Sequence, residues 1–131
     1  MSQAYPIYVV DDDEAIRRSL SFLLKTSGFA VQLFEGGLPF LKEAGHLAPG
    51  CVLLDVRMPD MDGLELTETL KSDQVFSAIP VLMLSTSNDE RDVRRFYEKA
   101  GNAYIRKPDT PDGYEHVLSE ISRFWFSVAE R

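Results

Sequence analysis

CVLLDVRMPDMDG, residues 51–63, passes from an unbroken apolar run into an acid and then, at Gly63, into a stretch with helical spacing that extends to Leu70. Cys51 to Leu54 show no polar alternation, which suits a strand buried on both faces, as in a parallel sheet. Asp55 then stands at the carboxyl end of that strand. Cys51 opens the apolar run and reads as a small buried side chain; as the single cysteine it has no internal disulfide partner.

The same succession recurs on both sides. Ile7 to Val10 leads into Asp11-Asp12-Asp13, Val81 to Leu84 into Ser85, and Ala103 to Ile105 into Arg106 and Lys107-Pro108; Ala30 to Phe34 is a further short apolar run. Helical spacing fills the intervals. Ile16, Leu20, Leu23 and Leu24 form a stripe that stops at Gly28; Phe40, Leu41 and Ala44 follow Pro39 and end at Gly45. Asp89 to Ala100 makes a fourth helix, stopped by Gly101. In the last segment Thr110 caps a helix with Pro111 in its first position, where a missing N–H costs nothing. Val117, Ile121, Phe124 and Val128 give it an apolar stripe. Five strands alternating with five helices predict an α/β, doubly wound, five-stranded parallel sheet with helices on both sides.

Such sheets carry their ligands outside the carboxyl ends of the strands, where the strand order reverses. The acids stand there. Asp11-Asp12-Asp13 and Asp55 would bring at least three carboxylates into one shallow pocket with Lys107, and two carboxylates ~4 Å apart repel by about 4 kcal/mol at an effective dielectric of 20. A cation is needed, and hard oxygen ligands without His or Cys nearby indicate Mg²⁺. Taken alone, the three aspartates would read equally well as a solvated turn capping the first helix, and Lys107 as a surface lysine. Their company on matching strand ends favours a site.

Composition excludes several classes. With 131 residues the chain has the size of one ordinary domain, and with 44% apolar residues it can bury a core. A net charge of −7 argues against a direct nucleic-acid surface. No apolar run reaches the ~18 residues of a membrane span, and MSQAYPIYVVDDD is unlike a signal peptide, so a cytoplasmic protein without a membrane partner is expected. His46 and His116 lack companions at ligand spacing and read as surface residues.

VVDDDE, LLDVRMPDMDG, PVLMLSTS and YIRKP together resemble the receiver domains of two-component response regulators, with the (βα)5 flavodoxin-like, CheY-like fold. The similarity runs from Ile7 to the last helix, and D-x-R-M-P-x-M-x-G is highly specific. The resemblance implies that Asp55 accepts a phosphoryl group from a sensor histidine kinase with Mg²⁺ bound. It implies that Asp12 binds Mg²⁺ directly, that Asp11 acts largely through water, and that Arg57 gives its backbone carbonyl. Ser85, in preference to Thr86, matches the hydroxyl that binds a phosphoryl oxygen, and Lys107 the ammonium that pairs with another. The Lys107–Pro108 bond matches the family's cis peptide. Tyr104 matches the aromatic switch residue, and the surface of the fourth helix, fifth strand and fifth helix is the one that responds. In this reading the chain is no enzyme beyond transfer to, and loss from, its own Asp55.

The two halves resemble different branches. Up to about Leu66 the chain is similar to nitrogen-fixation-type regulators; from about Ile79 it is similar to phytochrome-associated single-domain regulators, as in a natural mosaic or a chimera. The second likeness suggests a photoreceptor-type kinase and a receiver spanning 1–131 with no output domain. Tyr114, Leu118, Trp125 and Phe126 widen the apolar surface of the last helix, either to cover the sheet edge or to form a homodimer through the fourth helix, fifth strand and fifth helix. Arg91, Arg94, Arg95 and Lys99 make a basic face that would be solvated or pair with Glu115 and Glu120 across that dimer. Three other functions compete. A Mg²⁺-dependent phosphohydrolase of the dehalogenase type wants a second acid where Arg57 stands. A nucleotide-binding protein wants a phosphate-cradling loop where the three aspartates stand. A receiver used only for docking would have no need of the complete set of site residues.

Overall fold

The computed structural model of the protein describes residues 6–56, 58–73, 79–85, 90–99, 101–107 and 113–129, with the backbone alone for 124–129. The elements alternate: β1 (Ile7–Val10), α1 (Glu14–Thr26), β2 (Val31–Phe34), α2 (Gly37–Ala44), β3 (Cys51–Asp55), α3 (Gly63–Ser72), β4 (Val81–Ser85), α4 (Glu90–Glu98), β5 (Ala103–Arg106) and α5 (Tyr114–Ala129). The strands form one parallel sheet in the order β2-β1-β3-β4-β5. Val9 stands opposite Leu33 on one side and Leu53 on the other, so β1 is flanked by β2 and β3. After β2 the chain crosses back over β1, and the order reverses between β1 and β3.

Every residue of β1, β3 and β4 is buried, as their unbroken apolar runs require. The edge strands depart from the expectation of burial on both faces. In β2, Gln32 and Leu33 are exposed, and in β5 Arg106 is exposed, because an edge strand is only partly covered by its neighbours. Apolar side chains sort to the two faces. Val9, Leu53, Leu82 and Leu84 pack under α1 and α5 with Leu20, Leu24, Val117 and Ile121. Val10, Leu54, Val81 and Met83 pack under α2, α3 and α4 with Phe40, Leu66, Leu70 and Phe96. Cys51 is buried in the first of these cores.

Local chemistry sets the helix ends. Asp13 caps α1, accepting the N–H groups of Ala15 at 2.9 Å and Ile16 at 3.2 Å. Asp62 caps α3 through Leu64 N–H at 2.6 Å. α2 begins at Gly37, two residues before Pro39, and not after it. The proline sits in the first turn, where the helix has no N–H bond to lose. Asp89, Ala100, Thr110 and Pro111 lie outside the described residues; α5 is described from Tyr114. No helix among the described residues is long and apolar enough to cross a membrane.

Phe96 is the largest side chain that α4 buries. It is fully enclosed, and its ring meets those of Tyr97 and Tyr104 edge-on at centroid distances of 5.3 and 5.8 Å. Truncation to Phe96→Ala leaves a cavity at the α4–β5 seam and is expected to cost about 3–5 kcal/mol. Urea unfolding checks this: the midpoint should fall while the slope stays constant.

Candidate functional site

The acids converge at the reversal point. Asp11 follows β1, Asp55 ends β3, and these strands are neighbours. Asp11, Asp12 and Asp55 each offer a carboxylate oxygen, all within 4.8 Å of one another. Asp11 and Asp55 are buried; Asp12 is exposed. Lys107, just past β5, sends its ammonium between the buried pair, 3.2 Å from Asp11 Oδ2 and 3.0 Å from Asp55 Oδ1. Its backbone N–H donates to the Ser85 carbonyl at 2.6 Å, joining the ends of β4 and β5. Ser85 itself is fully buried as the last residue of β4.

The electrostatics follow from this crowding. Burial pushes the Asp55 carboxyl up to about 6, the Asp11 charge adds to the rise, and the Lys107 hydrogen bond and charge oppose it. For Lys107, burial favours the neutral amine, but the Asp11 charge, with the Asp55 hydrogen bond and charge, outweighs it and holds the ammonium above its usual range. One lysine therefore does not neutralise the cluster. The remaining acidity, and three oxygens with no sulfur or nitrogen among them, fit a hard divalent cation such as Mg²⁺.

The chain's two readings of the aspartate run are both realised, by different residues. Asp13 is the helix cap, whereas Asp11 is turned into the cluster, where its Oδ1 accepts Asp13 N–H at 2.9 Å. Arg57, Pro108, Thr86 and the side chains of Phe124, Trp125, Phe126 and Val128 lie outside the described residues. Tyr104 is half-buried on β5, and its backbone N–H donates to Tyr97 Oη at 3.1 Å. Tyr114 and Leu118, read either as covering or as dimer surface, are partly buried and pack against the core on the α1–α5 face, in line with the covering reading. Lys99 pairs with Glu68 of α3 at 2.6 Å, which takes it out of the basic face open to a partner. His46 and His116 are exposed, as expected.

Three neighbours of the cluster, among them the Gly63 that ends the D-x-R-M-P-x-M-x-G run, were given no part in it by sequence reasoning. Arg17 Nη1 donates to the Asp11 carbonyl at 2.8 Å, one and a half helical turns from the acids it steadies. Tyr114 stands near enough that the Lys107 and Asp11 charges act on its hydroxyl, on top of the burial that raises its pKa. Gly63 is required by close approach: a Cβ there would lie 2.4 Å from the Asp55 carbonyl oxygen. For Gly63 the D-x-x-x-x-x-x-x-G spacing was a usable signal; for Arg17 and Tyr114 no local pattern was.

Residues 7–118 match the model of the response regulator receiver domain. The chain belongs to this family. This receiver domain is 47% identical over 83 residues to the transcriptional regulatory protein FixJ of Bradyrhizobium diazoefficiens, covering 63% of this chain and 40% of that protein. Its fold matches that of a CheY-like receiver domain protein from Methanospirillum hungatei JF-1 with a TM-score of 0.87 at 23% identity, over 98% of both chains. It matches the Mn²⁺-bound form of the response regulator Rcp1 with a TM-score of 0.81 at 28% identity, over 92% of this chain and 94% of that one. The receiver domain spans less than half the length of the curated relatives FixJ and CreB of Escherichia coli.

The raised Asp55 pKa is also a statement about stability. An unfolded Asp55 titrates near the ordinary 3.8, the folded one at about 6, so stability from this group is complete below pH ~4 and is lost as pH rises through about 6. The full difference corresponds to about 3 kcal/mol. In chelator, Asp55→Asn should therefore gain on the parent by about 2–3 kcal/mol between pH 4 and pH 8. Urea melts of both proteins across that range measure the gap; a gap that does not change with pH would contradict the raised pKa.

Proposed function

We propose that Asp55 is the phosphoacceptor of a two-component phosphorelay, loaded by a sensor histidine kinase. The observation that carries this reading is the Lys107 ammonium lodged between the buried Asp11 and Asp55 at the reversal point of the sheet. As a carboxylate, Asp55 is a nucleophile that needs no general base at neutral pH. Its oxygen attacks the donor's phosphorus, a P–O bond forms, and the P–N bond to the kinase histidine breaks with its electron pair returning to the imidazole. The product is a mixed anhydride on Asp55. Lys107 would then pair with a phosphoryl oxygen, and the Ser85 hydroxyl with another.

Asp12 directly, Asp11 largely through water, Asp55 and the Arg57 carbonyl would hold Mg²⁺, which supplies charge neutralisation for the entering phosphoryl group. The Mn²⁺-bound form of Rcp1 supports a divalent cation in such a fold. The Lys107–Pro108 peptide would be cis. Tyr104 would be the switch residue, passing the change to the surface of α4, β5 and α5, where a homodimer would form. The seat of the reaction would be the cytoplasm, with no direct nucleic-acid or membrane contact by this stretch of chain, and no catalysis beyond the turnover of its own Asp55. A photoreceptor-type kinase is the partner suggested by the likeness of the second half.

Intact-mass measurement with acetyl phosphate tests the reading. The protein should gain one phosphoryl group with Mg²⁺, none in excess chelator, and none as Asp55→Asn. Labelling that survives Asp55→Asn would overturn the assignment. Lys107→Ala should still bind Mg²⁺, since it removes a competing cation, yet gain phosphate about a hundredfold more slowly, as expected when one charge-stabilising donor is lost.

A further inference from the structure

Asp11 is held at each of its polar groups. Its N–H donates to Phe34 O at 3.1 Å, its Oδ1 accepts Asp13 N–H at 2.9 Å, and its Oδ2 meets the Lys107 ammonium at 3.2 Å. The fourth group, the carbonyl, accepts Arg17 Nη1 at 2.8 Å. Arg17 makes this bond by reaching back from α1 over the acidic turn. Its other contact, Glu35 Oε1 at 3.9 Å, is long, and that carboxylate is 83% exposed, so the pair is weak. The Asp11 carbonyl is the partner that fixes the guanidinium.

That carbonyl belongs to the peptide joining Asp11 to Asp12. A peptide is planar, so turning it changes ψ of Asp11 and φ of Asp12 together and swings the Asp12 side chain. Asp12 is exposed, and among the described residues no hydrogen bond or ion pair holds its carboxylate. Its place in the cluster, with an oxygen within 4.8 Å of oxygens of Asp11 and Asp55, therefore comes from the backbone. The peptide after Asp12 is pinned through Asp13 N–H, and Asp13 in turn caps α1. The peptide before Asp12 is pinned through Arg17. Without that bond, the carbonyl of a residue only 2% exposed would have to turn toward water, because a buried backbone carbonyl needs a partner. Asp12 would take up the turn.

We propose that Arg17 is a positioning residue for Mg²⁺ uptake: by holding the Asp11 carbonyl from α1, it sets the Asp11–Asp12 peptide and so aims the Asp12 carboxylate at the metal. This rests on the reading of Asp55 as phosphoacceptor with Asp12 as a direct ligand. Charge pulls the other way. A guanidinium beside an acid cluster opposes a second cation, so by charge alone its removal would tighten Mg²⁺ binding. Glu35 offsets part of that charge, whereas outer contacts that orient metal ligands are worth about tenfold or more in affinity. Orientation therefore prevails, and the two effects differ in sign.

Calorimetric Mg²⁺ titration of the unphosphorylated full chain tests this, with melting temperature in chelator and acetyl phosphate labelling measured alongside. Arg17→Met, which keeps the length of the side chain and loses its donors, should weaken Mg²⁺ binding about tenfold. Arg17→Lys keeps the charge and an N–H donor and should recover part of the loss. Labelling of Arg17→Met should lag at low Mg²⁺ and return to the parent rate at saturating Mg²⁺, since Asp55, Ser85 and Lys107 are untouched. Glu35→Gln should bind Mg²⁺ like the parent. Unchanged or tighter binding by Arg17→Met, whatever its melting temperature, would overturn the proposal. So would a labelling deficit that persists at saturating Mg²⁺, or a loss in Glu35→Gln as large as that in Arg17→Met. A parent that takes up neither Mg²⁺ nor phosphate would instead fell the phosphoacceptor reading on which the proposal depends.

Discussion

Two carboxylates and an ammonium meet below the surface at the carboxyl end of the sheet, and their geometry constrains four of the five strands. Lys107 reaches Asp11 after β1 and Asp55 on β3 through its side chain, and Ser85 on β4 through its backbone N–H. Removing the Lys107 ammonium would leave the buried Asp11 and Asp55 without their shared cation, and breaking a buried pair in that way typically costs about 3–5 kcal/mol. The strand ends must therefore stay in register for the charges to remain paired. The pairing is also incomplete, because two buried acids and the exposed Asp12 face a single ammonium, and burial still lifts Asp55 to about 6. A site with surplus negative charge is stable as a fold yet favours an added cation.

Around this centre, ordinary structural chemistry supplies the orientation. The Asp13 cap and the Arg17 bond to the Asp11 carbonyl fix the turn from β1 into α1. Asp62 and Gly63 fix the exit of the β3 loop, the glycine because the Asp55 carbonyl leaves no room for a side chain. Six aspartates from two short runs thus divide their work: Asp11, Asp12 and Asp55 form the cluster, whereas Asp13, Asp60 and Asp62 accept N–H groups at helix starts. Charge alone does not distinguish these roles; the direction of each side chain does.

The opposite end of β5 shows how the sheet edge is joined to α4. Since Lys107 N–H turns toward β4, strand alternation turns the Tyr104 N–H toward the open edge, where Tyr97 Oη accepts it. An unpaired edge donor is a liability, and here a helix covers it. Phe96, wedged between Tyr97 and Tyr104, makes the connection rigid. Tyr104 is thereby tied to α4 twice, through its backbone N–H and through its ring.

Strand number, helix order and the acids at strand ends were readable in the sequence, because unbroken apolar runs and helical stripes are local patterns with a direct cause in burial. Asp11, Asp55 and Lys107 could be grouped on the rule that strand ends converge. Other features depended on the tertiary structure. That β2 and β5 are half-exposed edges follows from the strand order and not from their composition, since Val31 to Phe34 reads as apolar as a central strand apart from Gln32. Tyr114 and Leu118 read equally as core covering or as surplus surface on α5, and the fold brings both partly onto the core. Asp60 reaches the first turn of α2, where its carboxylate accepts the N–H groups of Gly37 and Leu38. Their contact joins residues over twenty positions apart, so no local spacing could announce it. The sequence by itself determined which residues prefer burial, helix or strand, because those preferences act over a few residues. Only the tertiary structure decided which polar groups share partners, because hydrogen bonds and ion pairs form between whatever the folded chain brings within about 3 Å.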